Sequence, residues 1–225
     1  MQGGIITVMA RPATAPAIAV RRGPWPVLKR AIDVAGSALL LVLVSPVFLA
    51  LAEAIKLDSH GPVFFRQARL GRGLGEFTVL KFRTMVVDSS AELHREYIAR
   101  LAAGQVDEAE LKKLTGDPRV TRVGRALRRT SIDELPQLVN VLLGHMSLVG
   151  PRPALDYELE HYPPQHFERF SVKPGMTGLW QVSGRNTLGF TEMLDLDVLY
   201  ARTGGLWTDL KILAKTPVAA VSGAA

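Results

Sequence analysis

The longest run of apolar positions lies near the start of the chain, between Asp33 and Glu53. Residues 34–52 carry no charge and are rich in Leu, Val and Ala. As a helix this run would extend roughly 28 Å, at about 1.5 Å per residue, which nearly matches the hydrocarbon core of a bilayer. The pattern therefore predicts a membrane segment, and a spanning helix is its simplest form.

Two features of this segment favour a bend. Ser45-Pro46 lies close to its middle, where a proline removes a backbone hydrogen bond and a serine hydroxyl can bond back to a carbonyl. Basic residues flank the segment on both sides, namely Arg21, Arg22, Lys29 and Arg30 before it and Lys56, Arg66, Arg69 and Arg72 after it. Because basic flanks mark the cytoplasmic side, a re-entrant helix satisfies both observations. The residues alone do not decide between a re-entrant helix and a kinked helix that spans the membrane.

Shorter patterns follow the membrane segment. Val63–Arg66 and Phe77–Phe82 are typical of strands, and the glycine-rich turn between them indicates a hairpin. A polar stretch over 88–114 predicts a helix with one apolar stripe, which comprises Leu93, Tyr97 and Leu101. Asp117-Pro118 then suggests the N-cap and first position of a helix that bears several arginines up to Arg129.

The second half of the chain begins with an apolar helix and then becomes rich in loops. The helical spacing of apolar residues starts at Leu135, and Gly144 is a natural stop. Two further helices are predicted, over about Phe190–Arg202 and Leu206–Val221. The last one begins with Trp207 and mixes apolar residues with lysines, as an interfacial helix does.

Composition narrows the class of partners. The chain has 225 residues, 48% of them hydrophobic, a mean hydropathy of +0.16 and a net charge of +6. Lipid contact and anionic partners are therefore expected. The basic patches lack the interleaved aromatic residues of a single-strand nucleic-acid channel, so we expect no nucleic acid. Without cysteine there are no disulfides or thiolate metal sites.

Asp133 and Glu134 are the strongest candidates for chemistry. Ser131 and Glu134 match a capping box, but Pro136 would then lie past the first turn of the helix, where it costs a hydrogen bond. Either Asp133 caps the helix, or the two acids serve another purpose. Two carboxylates beside arginines such as Arg128 suit a site that holds phosphate and Mg²⁺, and a carboxylate can attack phosphorus.

Several basic residues are candidates for binding phosphate. Arg152 lies between two prolines in a stiff loop and suits bidentate recognition of phosphate. Lys81 and Arg83 at the end of the second strand, and Arg185-Asn186 in a glycine turn, are weaker candidates, because a single surface charge is usually only solvated. The five histidines show no metal-ligand spacing.

The order of the motifs resembles one known family. These motifs are Lys29-Arg30-x-x-Asp33, Ser45-Pro46, Gly61-Pro62-Val63-Phe64-Phe65-x-Gln67, Lys81-Phe82-Arg83-Thr84-Met85, Asp133-Glu134-Leu135-Pro136-Gln137, Leu148-Val149-Gly150-Pro151-Arg152-Pro153, Lys173-Pro174-Gly175-Met176-Thr177-Gly178 and Gln181-Val182-Ser183-Gly184-Arg185-Asn186. Together they resemble the bacterial sugar transferases called monotopic polyprenyl-phosphate phosphoglycosyl transferases. The resemblance runs from about Lys29 to Ser222, and the overall length is similar to that of stand-alone exopolysaccharide-initiating members that load galactose- or glucose-1-phosphate.

The resemblance implies a mainly helical fold with a small β-hairpin. Residues 27–57 would form a re-entrant membrane helix bent at Ser45-Pro46, and residues 58–225 an α/β catalytic domain with interfacial amphipathic helices. Residues 1–26 lie before the resemblance; their lack of acids and their scattered prolines predict a mobile basic tail. Lys29, Arg30 and Asp33 would lie where the helix meets the interface. The protein would be monotopic in the bacterial cytoplasmic membrane, with its active site on the cytoplasmic face.

The resemblance also implies roles for individual residues. Asp133 is the expected nucleophile and Glu134 the Mg²⁺ ligand. The residues expected near the substrates are Arg128, Arg152, Lys81, Arg83, Gln181, Arg185 and Asn186. One departure is visible: where the family usually has Gly-Asp-Met, this chain has Gly144-His145-Met146.

The implied reaction transfers hexose-1-phosphate from a UDP-sugar to undecaprenyl phosphate and releases UMP through a covalent intermediate on Asp133. The alternative is a catalytically silent scaffold, anchored in the membrane, or a regulator that binds nucleotide sugars. The identity of the sugar and the oligomeric state, a homodimer included, stay open at this point.

Overall fold

The computed structural model describes residues 24–86, 92–105, 117–184 and 187–222. Its helices are α1 (Pro24–Asp58), α2 (Glu92–Ala102), α3 (Arg122–Thr130), α4 (Gln137–Leu143), α5 (Phe190–Thr203) and α6 (Leu206–Ser222). Its strands are β1 (Phe64–Leu70), β2 (Glu76–Phe82), β3 (Ser147–Val149) and β4 (Gly175–Thr177). The prediction of a mainly helical fold with a small hairpin and a long apolar N-terminal helix is confirmed.

Helix α1 has 35 residues and includes Pro46. It is long and apolar enough to cross a membrane. At about 1.5 Å per residue it would measure roughly 50 Å if straight, which exceeds a bilayer core of about 30 Å. The Ser45 hydroxyl donates to the Val42 carbonyl at 2.8 Å, which is the local back-bonding that the sequence suggested. Large apolar side chains along the helix are exposed, among them Leu43 and Leu49, so this surface suits lipid contact.

One stripe of α1 packs against the remainder of the protein over most of the helix. Its members, spaced three or four residues apart, are Asp33, Ser37, Leu41, Val44, Phe48, Leu51 and Ile55. Near the start of the helix, the Asp33 carboxylate accepts hydrogen bonds at the beginning of β3. Near its end, Ile55 packs with Phe82 of β2 and Leu127 of α3. Residues on both sides of Pro46 therefore rest on the same domain.

The strands form two separate pairs. Strands β1 and β2 are antiparallel, with Phe64 opposite Phe82, which confirms the predicted hairpin. Strands β3 and β4 are parallel and were not predicted, because three residues are too few to show a period. Their contact requires Gly175, since a Cβ there would lie 2.0 Å from the Gly150 nitrogen.

The predicted start of the arginine-bearing helix is wrong. Thr121 is the N-cap of α3, and its hydroxyl accepts from the Gly124 amide at 3.0 Å. Asp117 instead forms a salt bridge with Arg119 at 2.6 Å. The reason is that the chain pairs with Met85 through a bridge at Val120, which keeps it extended until Thr121.

The polar helix around α2 is confirmed only in part. Tyr97 and Leu101 pack against the aromatic cluster that includes Phe167 and Phe170. The side chain of Leu93 and residues 88–91 and 106–114 of that prediction lie outside the described part of the chain, as do residues 1–23.

Candidate active site

Asp133 and Glu134 lie in a tight connection between α3 and α4. Helix α3 ends at Thr130, Ser131 adopts a left-handed conformation with φ of 55°, and residues 132–134 form one 3₁₀ turn. Pro136 precedes α4, so neither Ser131 nor Asp133 is its N-cap. A left-handed non-glycine residue costs about 1–2 kcal/mol, and such strain is concentrated at functional sites. The sequence left two interpretations open, and the structure favours acids that are not used as helix caps.

Glu134 forms an ion pair with a cation on the hairpin. The Lys81 ammonium, at the end of β2, lies 2.6 Å from Glu134 Oε1. Both side chains are partly exposed and line the same cavity. The ion pair fixes the turn that carries the acids against the strand.

Asp133 lies in an environment that perturbs its carboxyl group. Burial raises the pKa of its carboxyl to about 6; the Lys81 ammonium opposes this rise, the Glu134 carboxylate adds to it and the Arg128 guanidinium opposes it. Arg128 is itself held by the segment just after β2, because its Nε donates to the Thr84 hydroxyl at 2.9 Å. Asp133 therefore lies in the field of two cations, and its carboxylate form predominates at neutral pH.

A cavity of about 330 Å³ opens beside this turn. Its polar side is formed by Arg69, Lys81, Glu134, Arg152 and Gln181. Its apolar side includes Leu40 and Val44 of α1 and Leu213, Ala219 and Ala220 of α6. The cavity thus joins a charged region next to the carboxylates to an apolar region next to the membrane helix.

Buried arginines hold the loop that carries Arg152. Arg169 donates to the Arg152 carbonyl at 2.7 Å, and Arg69 donates to the Pro153 carbonyl at 3.1 Å. Arg169 also forms an almost fully buried salt bridge of 2.5 Å with Asp197. The position of the Arg152 backbone is therefore set by charged groups beneath it.

Arg69 is the cavity residue that sequence reasoning missed. Its side chain is 7% exposed and is held by Gln67 Oε1, which accepts from both Nε and Nη2. Burial, followed by the charge of Arg152, lowers the pKa of Arg69 to about 10. The sequence pattern ends the predicted strand at Arg66, whereas the strand continues to Leu70 and places Arg69 two residues after Gln67 on the same face.

Arg83 was predicted to bind substrate, but the structure gives it another contact. Its guanidinium donates to the carbonyls of Ile55, Ser59 and His60 at the end of α1. Ser59 and His60 directly follow the last residue of α1, and the Ile55 carbonyl also accepts from the Ser59 amide. Arg83 therefore holds the end of the membrane helix and does not line the described cavity.

The remaining predicted residues are distributed as follows. Lys29 pairs with Asp209, Arg30 donates to the Val141 and Leu142 carbonyls, and Asp33 binds the start of β3. These contacts secure the first turns of α1. Arg185 and Asn186 lie outside the described residues. His145 lies at the exposed end of α4, where its ring is 6.0 Å from that of Phe77.

Asp133 and Glu134 are the carboxylates that could bind a divalent cation beside the cavity. Among the described residues, no group of three or more His, Asp or Glu side chains could hold a metal ion. Mg²⁺ commonly binds through one or two carboxylates, with substrate phosphates and water completing its shell. The adjacent Asp133 and Glu134 fit an ion that arrives with a phosphorylated substrate.

The cavity is lined by Glu134 and three cations, while Asp133 and Arg128 lie next to it on the adjoining turn and helix and do not line it. Together with the long, exposed apolar helix, this arrangement suits a phosphorylated ligand at a lipid surface. A family model described as bacterial sugar transferase matches residues 25–223. The chain belongs to this family, which confirms the resemblance of its motifs.

Relatives with assigned names support the same family. A UDP-galactose-lipid carrier transferase of Erwinia amylovora is 43% identical over 189 residues, which cover 84% of this chain and 39% of the relative. The exopolysaccharide production protein ExoY of Rhizobium meliloti is 40% identical over 188 residues, 84% of this chain and 83% of the relative. A UDP-glucose:undecaprenyl-phosphate glucose-1-phosphate transferase of Caulobacter vibrioides is 44% identical over 198 residues, 84% of this chain and 67% of the relative. The chain thus spans about two fifths of the first of these proteins and most of the second.

Proposed function

We propose that this protein transfers hexose-1-phosphate from a UDP-sugar to undecaprenyl phosphate and releases UMP. The observation that carries the proposal is the cavity in which Glu134 and Lys81 meet Arg69 and Arg152, next to Asp133 and beside the membrane helix. The names of the relatives support galactose or glucose as the sugar and a polyprenyl phosphate as the acceptor.

Asp133 is the proposed nucleophile. One oxygen of its carboxylate attacks the β-phosphorus of the UDP-sugar, and the bond from that phosphorus to the bridging oxygen breaks, so that UMP leaves with the electron pair. Lys81 and Arg128 lie close enough to affect the Asp133 charge. Their positive charges reduce the repulsion between the Asp133 carboxylate and the anionic phosphate, so that the two groups can approach each other.

The second half of the reaction regenerates the carboxylate. An oxygen of the polyprenyl phosphate attacks the phosphorus of the phospho-sugar on Asp133, and the bond from phosphorus to the Asp133 oxygen breaks. The apolar side of the cavity, formed by α1 and α6, supports an acceptor that approaches from lipid. Arg152 and Arg69 face the same cavity and suit the binding of its phosphate.

Mg²⁺ is the proposed cofactor. When bound with the substrate at Glu134, it would neutralise the charge that develops on the diphosphate. In the protein alone, the Lys81 ammonium occupies the position beside Glu134. We expect Lys81 to exchange this carboxylate for a substrate phosphate when the ion and the nucleotide sugar bind together.

The re-entrant topology is part of the proposal. It is supported by the contacts of α1, since Asp33 before Pro46 and Ile55 after it both pack on the same domain. A straight spanning helix of this length would separate its two ends by more than the bilayer core. We infer that both flanks and the active site lie on the cytoplasmic face of the bacterial inner membrane.

A half-reaction without lipid acceptor tests the chemistry. Purified protein is incubated with Mg²⁺ and a panel of UDP-sugars, and we expect release of one UMP per active site and the added mass of a phosphohexose on the peptide that carries Asp133. Asp133→Asn should abolish both signals, while the exposed control Asp195→Asn should retain them. Absence of UMP and of the adduct across the panel would instead favour a silent scaffold.

Labelling tests the topology, and the absence of native cysteine makes single-cysteine variants unambiguous. Cysteines are placed at Gly3 in the tail and at the exposed His60 after α1. Both should react with an impermeant maleimide only in inverted membrane vesicles. Reaction from opposite sides would show that α1 spans the membrane.

A further inference from the structure

A second, smaller cleft lies at the start of α1. It has a volume of about 80 Å³ and is lined by Trp25, Lys29, Arg30, Asp33, Arg72 and Lys173, among other residues. It shares no lining residue with the active-site cavity. The transfer reaction proposed above therefore gives this cleft no role.

The positive charges of this cleft are only partly neutralised by nearby carboxylates. Lys29 is paired with Asp209 at 2.5 Å, and Arg30 donates to two neutral carbonyls. Within the described part of the chain, neither Arg72 nor Lys173 has a carboxylate at salt-bridge distance. The cleft therefore carries an excess of positive charge.

The cations also converge on one region. A Cβ on Gly144 would lie 3.3 Å from Arg30 Nη2 and 3.5 Å from Lys173 Nζ, so both groups flank the same point at the end of α4. Burial lowers the pKa of the Lys173 ammonium, the charges of Arg30 and Arg72 lower it further, and Asp33 only partly offsets them. Like charges held together in this way destabilise one another, and a bound anion would relieve the repulsion.

The surroundings of the cleft indicate its depth in the membrane. Trp25 is part of its wall, and Val27, two residues further along α1, is 73% exposed. Trp207 at the start of α6 is 75% exposed and lies two residues before Asp209, the partner of Lys29. Trp25 is half-buried and Trp207 is exposed; tryptophans beside an apolar helix are typical of the headgroup region.

We propose that this cleft binds the phosphate group of an acidic membrane phospholipid. Its volume accommodates a phosphate but not a nucleotide sugar, and the apolar surface around Val27 accommodates acyl chains. The inference rests on the membrane association proposed above but not on the transfer reaction, so a failure of catalysis would leave it intact.

Native mass spectrometry of the detergent-solubilised full chain tests this proposal. The probes are phosphatidylglycerol, phosphatidylcholine and inorganic phosphate, each added separately. We expect one retained phosphatidylglycerol per chain, little phosphatidylcholine and no comparable retention of phosphate. The double variant Arg72→Gln/Lys173→Gln should bind phosphatidylglycerol at least about tenfold more weakly.

The control removes the same charge elsewhere. Lys211→Gln/Lys215→Gln changes two exposed lysines of α6 and should retain the bound lipid. The proposal would be overturned if both double variants lost phosphatidylglycerol equally, or if Arg72→Gln/Lys173→Gln bound it as the wild type does. Retention of inorganic phosphate without phosphatidylglycerol would overturn the assignment to a lipid. If the double variant is unstable, Arg72→Gln alone serves, because Arg72 is exposed.

Discussion

Asp33 provides the most direct test of how the membrane helix is attached. Its side chain is 3% exposed, and a single oxygen, Oδ1, accepts from the Ser147 hydroxyl at 3.0 Å and from the Leu148 amide at 2.9 Å. Asp33→Ala would leave both donors buried without this acceptor. Each lost hydrogen bond to a charged group costs about 1.5–3 kcal/mol, so we expect a loss of at least about 3 kcal/mol.

The conservative variant should separate the geometry from the charge. In Asp33→Asn the amide oxygen can still accept both hydrogen bonds, so only the contribution of the charge is lost. We expect this variant to lose roughly half as much stability as Asp33→Ala, because bonds to neutral acceptors are worth about half as much. Ser147→Ala in the Asp33→Ala background should add little, since its partner is already gone.

Thermal unfolding of the detergent-solubilised protein provides the measurement. For a chain of this size, about 3 kcal/mol corresponds to a fall in Tm of roughly 6–12 °C. Glu53→Ala is the matched control, because it removes an exposed acid from the same helix and should change Tm little. A Tm for Asp33→Ala equal to that of Asp33→Asn would refute the assigned role of the shared oxygen.

Three other variants or conditions test the site. The rate of UMP release should fall about tenfold between pH 7 and pH 5, because the pKa of Asp133 is raised to about 6 and protonation removes the proposed nucleophile; a rate that stays constant down to pH 5 contradicts this. Asp197→Asn leaves the buried Arg169 without its counter-charge, so the free energy of unfolding measured in a thermal melt should fall by about 3–5 kcal/mol. A Tm within 2 °C of the wild type would show that Arg169 does not need this counter-charge. Arg83→Gln should lower Tm but leave the KM for UDP-sugar unchanged in the folded fraction, because Arg83 contacts carbonyls at the end of α1. A rise in KM without a fall in Tm would show that Arg83 binds the substrate instead.

The helices and the hairpin were largely predictable because each carries a local pattern. The run after Asp33 shows uninterrupted hydrophobicity, and Gly144 ends α4 in the left-handed conformation expected of a helix stop. Strands β3 and β4 were not predictable, because their pairing joins residues far apart in sequence. The start of α3 was mispredicted for the same reason, since the distant bridge to Met85 overrides the local Asp-Pro pattern.

The residues of the site could be predicted only where the residue type itself indicates a chemical role. Asp133 and Glu134 stood out as adjacent acids next to arginines, and Lys81 and Arg152 were candidate phosphate ligands. Sequence could not separate Lys81 from Arg83, which are two residues apart, because only the packing of β2 shows that one contacts Glu134 and the other contacts α1. Arg69 was missed because its burial is a property of the fold.

Four consecutive residues, the last two of β2 and the two that follow it, contact three parts of the protein. Lys81 binds the acidic turn, Phe82 packs against α1, Arg83 holds the end of α1, and Thr84 binds Arg128. The distance from the membrane helix to the carboxylates is thereby fixed by one short strand. If α1 enters and leaves on one face, the height of the reaction above the hydrocarbon does not depend on the opposite leaflet. We therefore expect turnover to be insensitive to bilayer thickness, to which spanning helices must adapt by tilting or stretching the lipid.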